Sequence, residues 1–306
     1  MKETLRMTTQ MFPQTVQYIA TAIKTIFNGT VTLYGYGCVL DEPQLNWSLK
    51  GIEMSNDPNL SHGHIVHTLG RLDRFGIENV YAPSPDTFNS KIATVPELES
   101  SQVVPIALTE TVRLYRGIKA DGVSKLPLKS AFAMSAADCA LVIVSFQNNI
   151  WVAHAGRDSL LDRKYINEGI PSKEHASVID AIMGKIDPEL RGDAKAYISF
   201  TISKGSHFQH SIHDPAYGEK NELMLDQIAS KYIPLNQKNL FGDDFWEHGQ
   251  IDMEWLIRKQ LEDHGITNVE SDGICTFSDK DSDGNHKWFS QRRTPGMRNL
   301  LVAVRN

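Results

Sequence analysis

The stretch SAFAMSAADCALVIVSFQNNIWVAHAG, residues 130–156, constrains this chain more than any other. Its first part, 130–145, is a long apolar run rich in small and β-branched residues. Gln147-Asn148-Asn149 supply turn chemistry, and IWVAHAG resumes as a strand, so the two halves predict a hairpin. Such a hairpin returns His154 to the end of the ribbon that carries Cys139. A thiol needs a nearby imidazole or a metal to populate its thiolate at neutral pH. A Cys and a His brought together from distant positions therefore suit nucleophilic catalysis or metal ligation. Gly156, two residues after the histidine, lets backbone approach a ligand. The same residues also suit a small-residue hairpin around a core cysteine.

Around this hairpin, strands and helices alternate without regular βαβ spacing, which predicts an α+β fold. VTLYGYGCVL (31–40) reads as a strand with glycines at a bend. Ser61 is placed to cap a helix that stops at Gly76. KEHASVIDAIMGKI (173–186) and NELMLDQIASKYI (221–233) carry helical spacing, with the strand AKAYISFTI (194–202) between them. Asp252 opens a further helix ended by Gly265. ICTFS (274–278) and KWFSQRR (287–293) read as paired strands, and NLLVAVR (299–305) as a final one. No Pro/Gly/Ser-rich linker divides residues 1–306, so one compact unit is expected.

Composition narrows the function. A net charge of −6, with no Lys/Arg block, argues against a nucleic-acid binder working by phosphate neutralisation. Three well-separated cysteines, Cys38, Cys139 and Cys275, form neither a disulfide framework nor a CxxC zinc site. No run reaches the ~18 apolar residues of a membrane span, and Met1 to Pro13 lacks the apolar core of a signal peptide. A cytoplasmic protein is expected.

Three further constellations bear on chemistry. Phe289-Ser290-Gln291-Arg292-Arg293 is followed by Gly296 and Arg298. On a strand, Arg292 and Arg293 would point to opposite faces, one toward the Cys139 cavity with its guanidinium suited to phosphate or carboxylate. Histidines cluster at His62, His64 and His67 and again at His207, His210 and His213; surface or hydrogen-bonded roles are expected. Asp279 to Gly284 opens like a calcium loop, but Ser290 stands where the twelfth position needs a bidentate Glu. No GxxxxGK[ST] or GxGxxG is present.

In this order the pieces resemble the laccase-domain, or YfiH-like, family. Its core reads ADA, TADC, HAGWRG, IGP, CT and FSxRR with a trailing GR. Here these become Ala120-Asp121-Gly122, Ala137-Asp138-Cys139, His154-Ala155-Gly156, Ile198-Ser199-Phe200, Cys275-Thr276, and Phe289-Ser290-Gln291-Arg292-Arg293 with Arg298. The match runs from about residue 60, and 1–59 is a weakly matched N-terminal part. The resemblance implies a complex mixed-sheet α+β fold with Cys–His geometry like that of cytotoxic-factor deamidases. It implies a zinc-dependent purine nucleoside phosphorylase with adenosine deaminase side activity. Cys139 and His154 would be zinc ligands, and Arg292 or Arg293 would neutralise phosphate. Gly156, Phe289 and Ser290 would lie at the substrate.

The departures from the family are specific. Matching KIATV (91–95) to the strand after the family's QVHG motif puts Phe88 at the third zinc ligand and Asn89 at the glycine. Phe cannot bind zinc, so zinc is expected to be weakly held or absent, with His67 or His64 the substitute and the 207–213 loop next. Copper is not expected, because too few His and Cys have multicopper spacing. HAGWRG becomes HAGRDS through Arg157 and Asp158, and Ala136 and Leu141 replace Thr and Pro around ADC. Three readings follow. One is phosphorolysis or deamination of purine nucleosides with an altered metal site. Another is a non-catalytic binding protein of the same fold. The third is a metal-free hydrolase or deamidase with Cys139 as nucleophile, His154 as base and Asp138 orienting it. The partners expected are a small nucleoside and phosphate, with no nucleic acid and no membrane; the sequence assigns no oligomeric state. For the Asp279 to Gly284 loop, a calcium titration followed by calorimetry is expected to show no micromolar binding.

Overall fold

The computed structural model describes residues 20–38, 45–50, 52, 62–85, 90–101, 105–170, 177–202, 218–232 and 252–306. Among the described residues, thirteen strands form two mixed sheets. The seven-stranded sheet contains β1 (Ala22–Ile26), β2 (Val31–Tyr36), β3 (Asn79–Tyr81), β5 (Ile106–Ala107), β6 (Arg113–Tyr115), β8 (Ser130–Ala136) and β13 (Asn299–Arg305). Its order is β1-β2-β13-β8-β3-β6-β5. The six-stranded sheet contains β4 (Ile92–Thr94), β7 (Gly122–Ser124), β9 (Ala140–Phe146), β10 (Asn149–Ala155), β11 (Lys195–Ile198) and β12 (Val269–Ser271). Its order is β12-β11-β9-β10-β7-β4. The helices are α1 (Gly63–Gly70), α2 (Val95–Ser100), α3 (Arg157–Leu160), α4 (Arg163–Glu168), α5 (Val178–Met183), α6 (Gly218–Tyr232) and α7 (Met253–Asp263). Among the described residues, no helix is long and apolar enough to cross a membrane.

The apolar run at 130–146 is two strands, one in each sheet, and only Ala137-Asp138-Cys139 separate them. Both strands are apolar on both faces because both faces are covered. Along β9, Leu141 and Ile143 enter a core shared by the two sheets. Val142 and Val144 face the other way, into a core with residues of α3, α5 and α7. Along β8, Phe132 and Met134 enter the shared core, while Ala131 and Ala133 pack with Ile65 and Leu69 of α1. A fully buried aliphatic side chain contributes roughly 1.5–3 kcal/mol, and the polar Ser135 and Ser145 stand at the half-buried positions of the two strands.

The expected hairpin is present. β9 and β10 pair antiparallel, with His154 opposite Leu141 and Ala155 opposite Ala140. Gln147 and Asn148 take φ of 46° and 60°, the two left-handed residues of a type I′ turn, whose twist matches the ribbon. α7 is capped by Asp252, whose carboxylate accepts from Trp255 N at 2.9 Å. α5 starts at Ser177, which shares a reciprocal capping box with Asp180. The helix after residue 61 starts at Gly63 with His62 at its cap position and gives way to a 3-10 turn, Arg71–Phe75, before Gly76 at φ 71°. Ser61 lies outside the described residues.

Two expectations are corrected. ICTFS and KWFSQRR are not paired strands: Cys275 bridges Thr201, and residues 290–294 close a turn in which Arg293 N and Thr294 N both donate to Ser290 O. A buried Asn and a buried Asp hold this segment by side-chain bonds, which a strand pattern does not reveal. The glycines at 35 and 37 do not mark a bend; they admit close approach. A Cβ on Gly35 would meet the Trp288 ring at 2.7 Å, and one on Gly37 would run into the Lys287 carbonyl oxygen. Trp288 is fully buried there, its ring tilted 37° against Phe200 with centroids 4.1 Å apart. Gly37→Ala must therefore displace backbone and is expected to cost about 2–4 kcal/mol, as overpacked cores do. Chemical denaturation should show this loss, with Gly192→Ala, where a Cβ meets nothing within 4 Å, nearly neutral.

Candidate functional site

The three-residue passage between the sheets carries Cys139. Asp138, 5% exposed, is anchored on both sides of its backbone and carboxylate. Its Oδ1 accepts from Thr276 Oγ1 at 2.7 Å and its Oδ2 from Gln291 N at 2.9 Å. Its carbonyl accepts from Thr201 Oγ1 at 2.7 Å. Asn299, fully buried, donates to Ala137 O and Phe289 O and accepts from Phe289 N. These bonds join the ADC, CT and FSxRR segments into one frame.

His154 stands near the end of β10, on the same face as Ile150 and Val152. An added Cβ at Gly156 would lie 3.1 Å from Cys139 Sγ and 3.1 Å from both His154 Cε1 and Nε2. The sulfur and the imidazole are therefore no more than twice that distance apart, and the sulfur acts on the ring electrostatically. On the far side of the ring, Nδ1 lies 3.8 Å from Asp121 Oδ1, an ion-pair distance too long for a hydrogen bond. Asp121 is held by its own carbonyl, which accepts His154 N at 2.7 Å. That approach depends on Gly122, whose Cβ would collide with Val152 O of β10. Burial works against a charged imidazole at His154. The neighbouring Cys139 sulfur and the Asp121 carboxylate outweigh it and push the pKa of His154 up to about 10.

His154 and Asp121 open onto a cleft of about 440 Å³, whose wall also carries Lys50, Ser84, Arg116 and Arg298. This volume falls in the range of small-molecule sites. Arg116 is 5% exposed and donates to Ala82 O and Ser84 Oγ.

The residues singled out by sequence are partly brought together. Cys139, His154 and Gly156 converge. Asp138 does not orient His154: its carboxylate oxygens are taken by Thr276 and Gln291, and Asp121 occupies the orienting place. Neither Arg292 nor Arg293 lines the cleft. The strand alternation that would have aimed one of them there is absent. Arg292 is exposed, and Arg293 is spent on Thr276 O and Trp288 O. Phe289 and Ser290 are buried, 2% and 0% exposed, and do not reach the cleft. His62 and His64 bond Lys50 O and Asn46 O, securing α1 to the 45–50 segment. Phe88, Asn89, His207, His210 and His213 lie outside the described residues. Arg116 and Lys50 carried no motif; Asp121 was visible only as the acid in the Ala120-Asp121-Gly122 match.

Cys139 and His154 Nε2 converge beside Gly156, but Asp121 is on the opposite nitrogen, and no group of three His, Cys, Asp or Glu among the described residues could hold a metal. Catalytic zinc takes three protein ligands. The described residues supply two and do not fit it.

Comparison with solved structures agrees with this architecture. The chain is similar to a YfiH protein of Bacillus licheniformis at TM-score 0.59 and 18% identity, covering 95% of this chain and 98% of that one. It is similar to the Neisseria meningitidis protein NMB0706, described as DUF152, at TM-score 0.56 and 17% identity, covering 90% and 95%. It is similar to YlmD of Geobacillus stearothermophilus at TM-score 0.55 and 16% identity, covering 90% and 91%. No protein-family model and no curated protein matches the sequence. The fold is therefore YfiH-like.

Gly156→Ala is expected to part Cys139 from His154 without unfolding the chain, because only two side-chain ends must move. The alkylation rate of Cys139 by iodoacetamide at neutral pH should fall roughly tenfold as the sulfur loses its imidazole neighbour. Peptide mass spectrometry resolves Cys139 from Cys38 and Cys275, and an unchanged rate would separate the glycine from the pair.

Proposed function

We propose that this YfiH-like chain is an enzyme of purine nucleosides, acting by phosphorolysis or deamination, with His154 as the group that moves the proton. The observation that carries this reading is the placement of His154: its imidazole lies between Cys139 and Asp121 and opens onto a cleft of nucleoside size. The nucleoside class comes from the family resemblance. In phosphorolysis, a phosphate oxygen bonds to the sugar carbon as the carbon–nitrogen bond breaks, and the departing base takes up a proton. A cationic imidazole held by a carboxylate is suited to donate it. Asp121 favours the charged ring electrostatically from 3.8 Å, and the Cys139 sulfur lies near its other edge. In this reading no step passes through zinc.

A second reading is a metal-free hydrolase or deamidase with Cys139 as nucleophile and His154 as base. It is favoured by the sulfur lying against the imidazole with a carboxylate behind it, the order of a nucleophile–base–acid relay. A non-catalytic binding protein remains the third reading and is the one a lack of turnover would favour.

Adenosine, inosine and guanosine should be incubated with and without phosphate, with free base and ammonia measured. Phosphate-dependent base release, or ammonia release from adenosine, is expected. His154→Gln should lower it by about 100-fold or more. Cys139→Ala should retain part of the activity in the first reading and none in the second. Neither base nor ammonia from any of the three nucleosides would overturn the nucleoside reading.

A further inference from the structure

The charge of the cleft runs against the charge of the protein. The chain carries 31 Lys and Arg against 37 Asp and Glu, a net −6. Among the described residues on the cleft wall, Arg116 is committed to Ala82 O and Ser84 Oγ, while Lys50 and Arg298 stand with one carboxylate, Asp121, which sits at the His154 ring. Two cations from separate parts of the sequence, on one wall with an acid that faces the imidazole, mark a place for a negative ligand.

Arg298 is the best placed of them. Its Nη1 donates to Gln291 Oε1 at 2.9 Å and to Met297 O at 2.8 Å. Both acceptors are neutral, so they aim the guanidinium without cancelling its charge. Nε and Nη2 donate to none of the described residues, and that edge is the one that takes two oxygens of a phosphate side by side. The segment carrying Lys50 is built onto the same rim. Asn46 Oδ1 accepts both Ser48 N and Arg298 N, Asn46 Nδ2 donates to Gly296 O, and Trp47 N donates to Arg298 O. The two cations are thus on bonded neighbouring segments, and His154 lies on the same cleft.

We propose that the cleft takes a phosphate ester, with its phosphate on the Arg298 edge beside Lys50 and its reacting end toward His154. Resting on the nucleoside reading above, the substrate class becomes the nucleoside 5′-monophosphate in place of the free nucleoside. Free inorganic phosphate shares this chemistry, and the experiment separates the two.

Calorimetric titration of the full-length protein with adenosine, adenosine 5′-monophosphate and inorganic phosphate tests this. The monophosphate is expected to bind roughly tenfold or more tightly than adenosine, as a charge-assisted bidentate contact allows. Arg298→Gln should remove that advantage, Arg298→Lys should restore part of it, and Lys50→Gln should reduce it. Circular dichroism confirms that each variant folds, and exposed Lys50 keeps the test open should Arg298→Gln not fold. Equal affinities for nucleoside and monophosphate would overturn the proposal. So would phosphate binding that depends on Arg298 while the monophosphate gains nothing, because the site would then serve the free anion. Turnover of nucleosides with no monophosphate advantage would sink this proposal and leave the function reading intact. An Arg298-dependent advantage without turnover of either would do the reverse.

Discussion

A buried carboxylate with every oxygen committed holds this structure together. Asp138 sits where the chain passes from one sheet to the other, and an unpaired charge there would cost several kcal/mol. Its side-chain oxygens accept from Thr276 and Gln291, and its carbonyl from Thr201. The passage between β8 and β9 is therefore pinned to segments 63, 138 and 153 residues later. Cys139, the next residue, inherits its position from that pinning. Asn299 repeats the arrangement from β13, bonding Ala137 and Phe289.

The site depends on this frame through close approaches that only glycine permits. Gly122 lets β7 lie against β10, which puts Asp121 beside the His154 ring. Gly156 leaves room for the Cys139 sulfur and the imidazole to meet. Gly35 and Gly37 let Trp288 and Lys287 lie across β2, which carries the FSxRR turn toward Asp138. Side-chain atoms at these four positions would push apart the segments that the polar bonds hold. Carboxylate, imidazole and thiol then fall close together, with the imidazole facing a cleft that Lys50 and Arg298 also line.

The arginines illustrate how a motif and its function can separate. Arg293 belongs to the segment whose pattern resembles the family, yet it is used to hold Thr276 O and Trp288 O. Arg298, only five residues on, reaches the cleft because Gln291 and Met297 hold its Nη1. The difference lies in a turn at 290–294, closed by local bonds to Ser290 and held in place by the distant Asp138 carboxylate on Gln291 N.

What was legible in the sequence was what local chemistry dictates. The β9–β10 hairpin followed from turn residues between two apolar runs, because a Gln-Asn pair accepts the left-handed conformation that a two-residue turn requires. The helix at Asp252 followed from a capping carboxylate, and the nearness of Cys139 to His154 from the hairpin register. Tertiary structure alone decided the rest. The apolar run at 130–146 became strands of two different sheets because Asp138 finds its partners in distant segments, and no periodicity encodes a partner. Asp121, Lys50, Arg116 and Arg298 became neighbours of His154 because the two sheets pack over a shared core. Sequence spacing determines what lies along one ribbon; which charges meet across a cleft is settled by the packing of ribbons against each other.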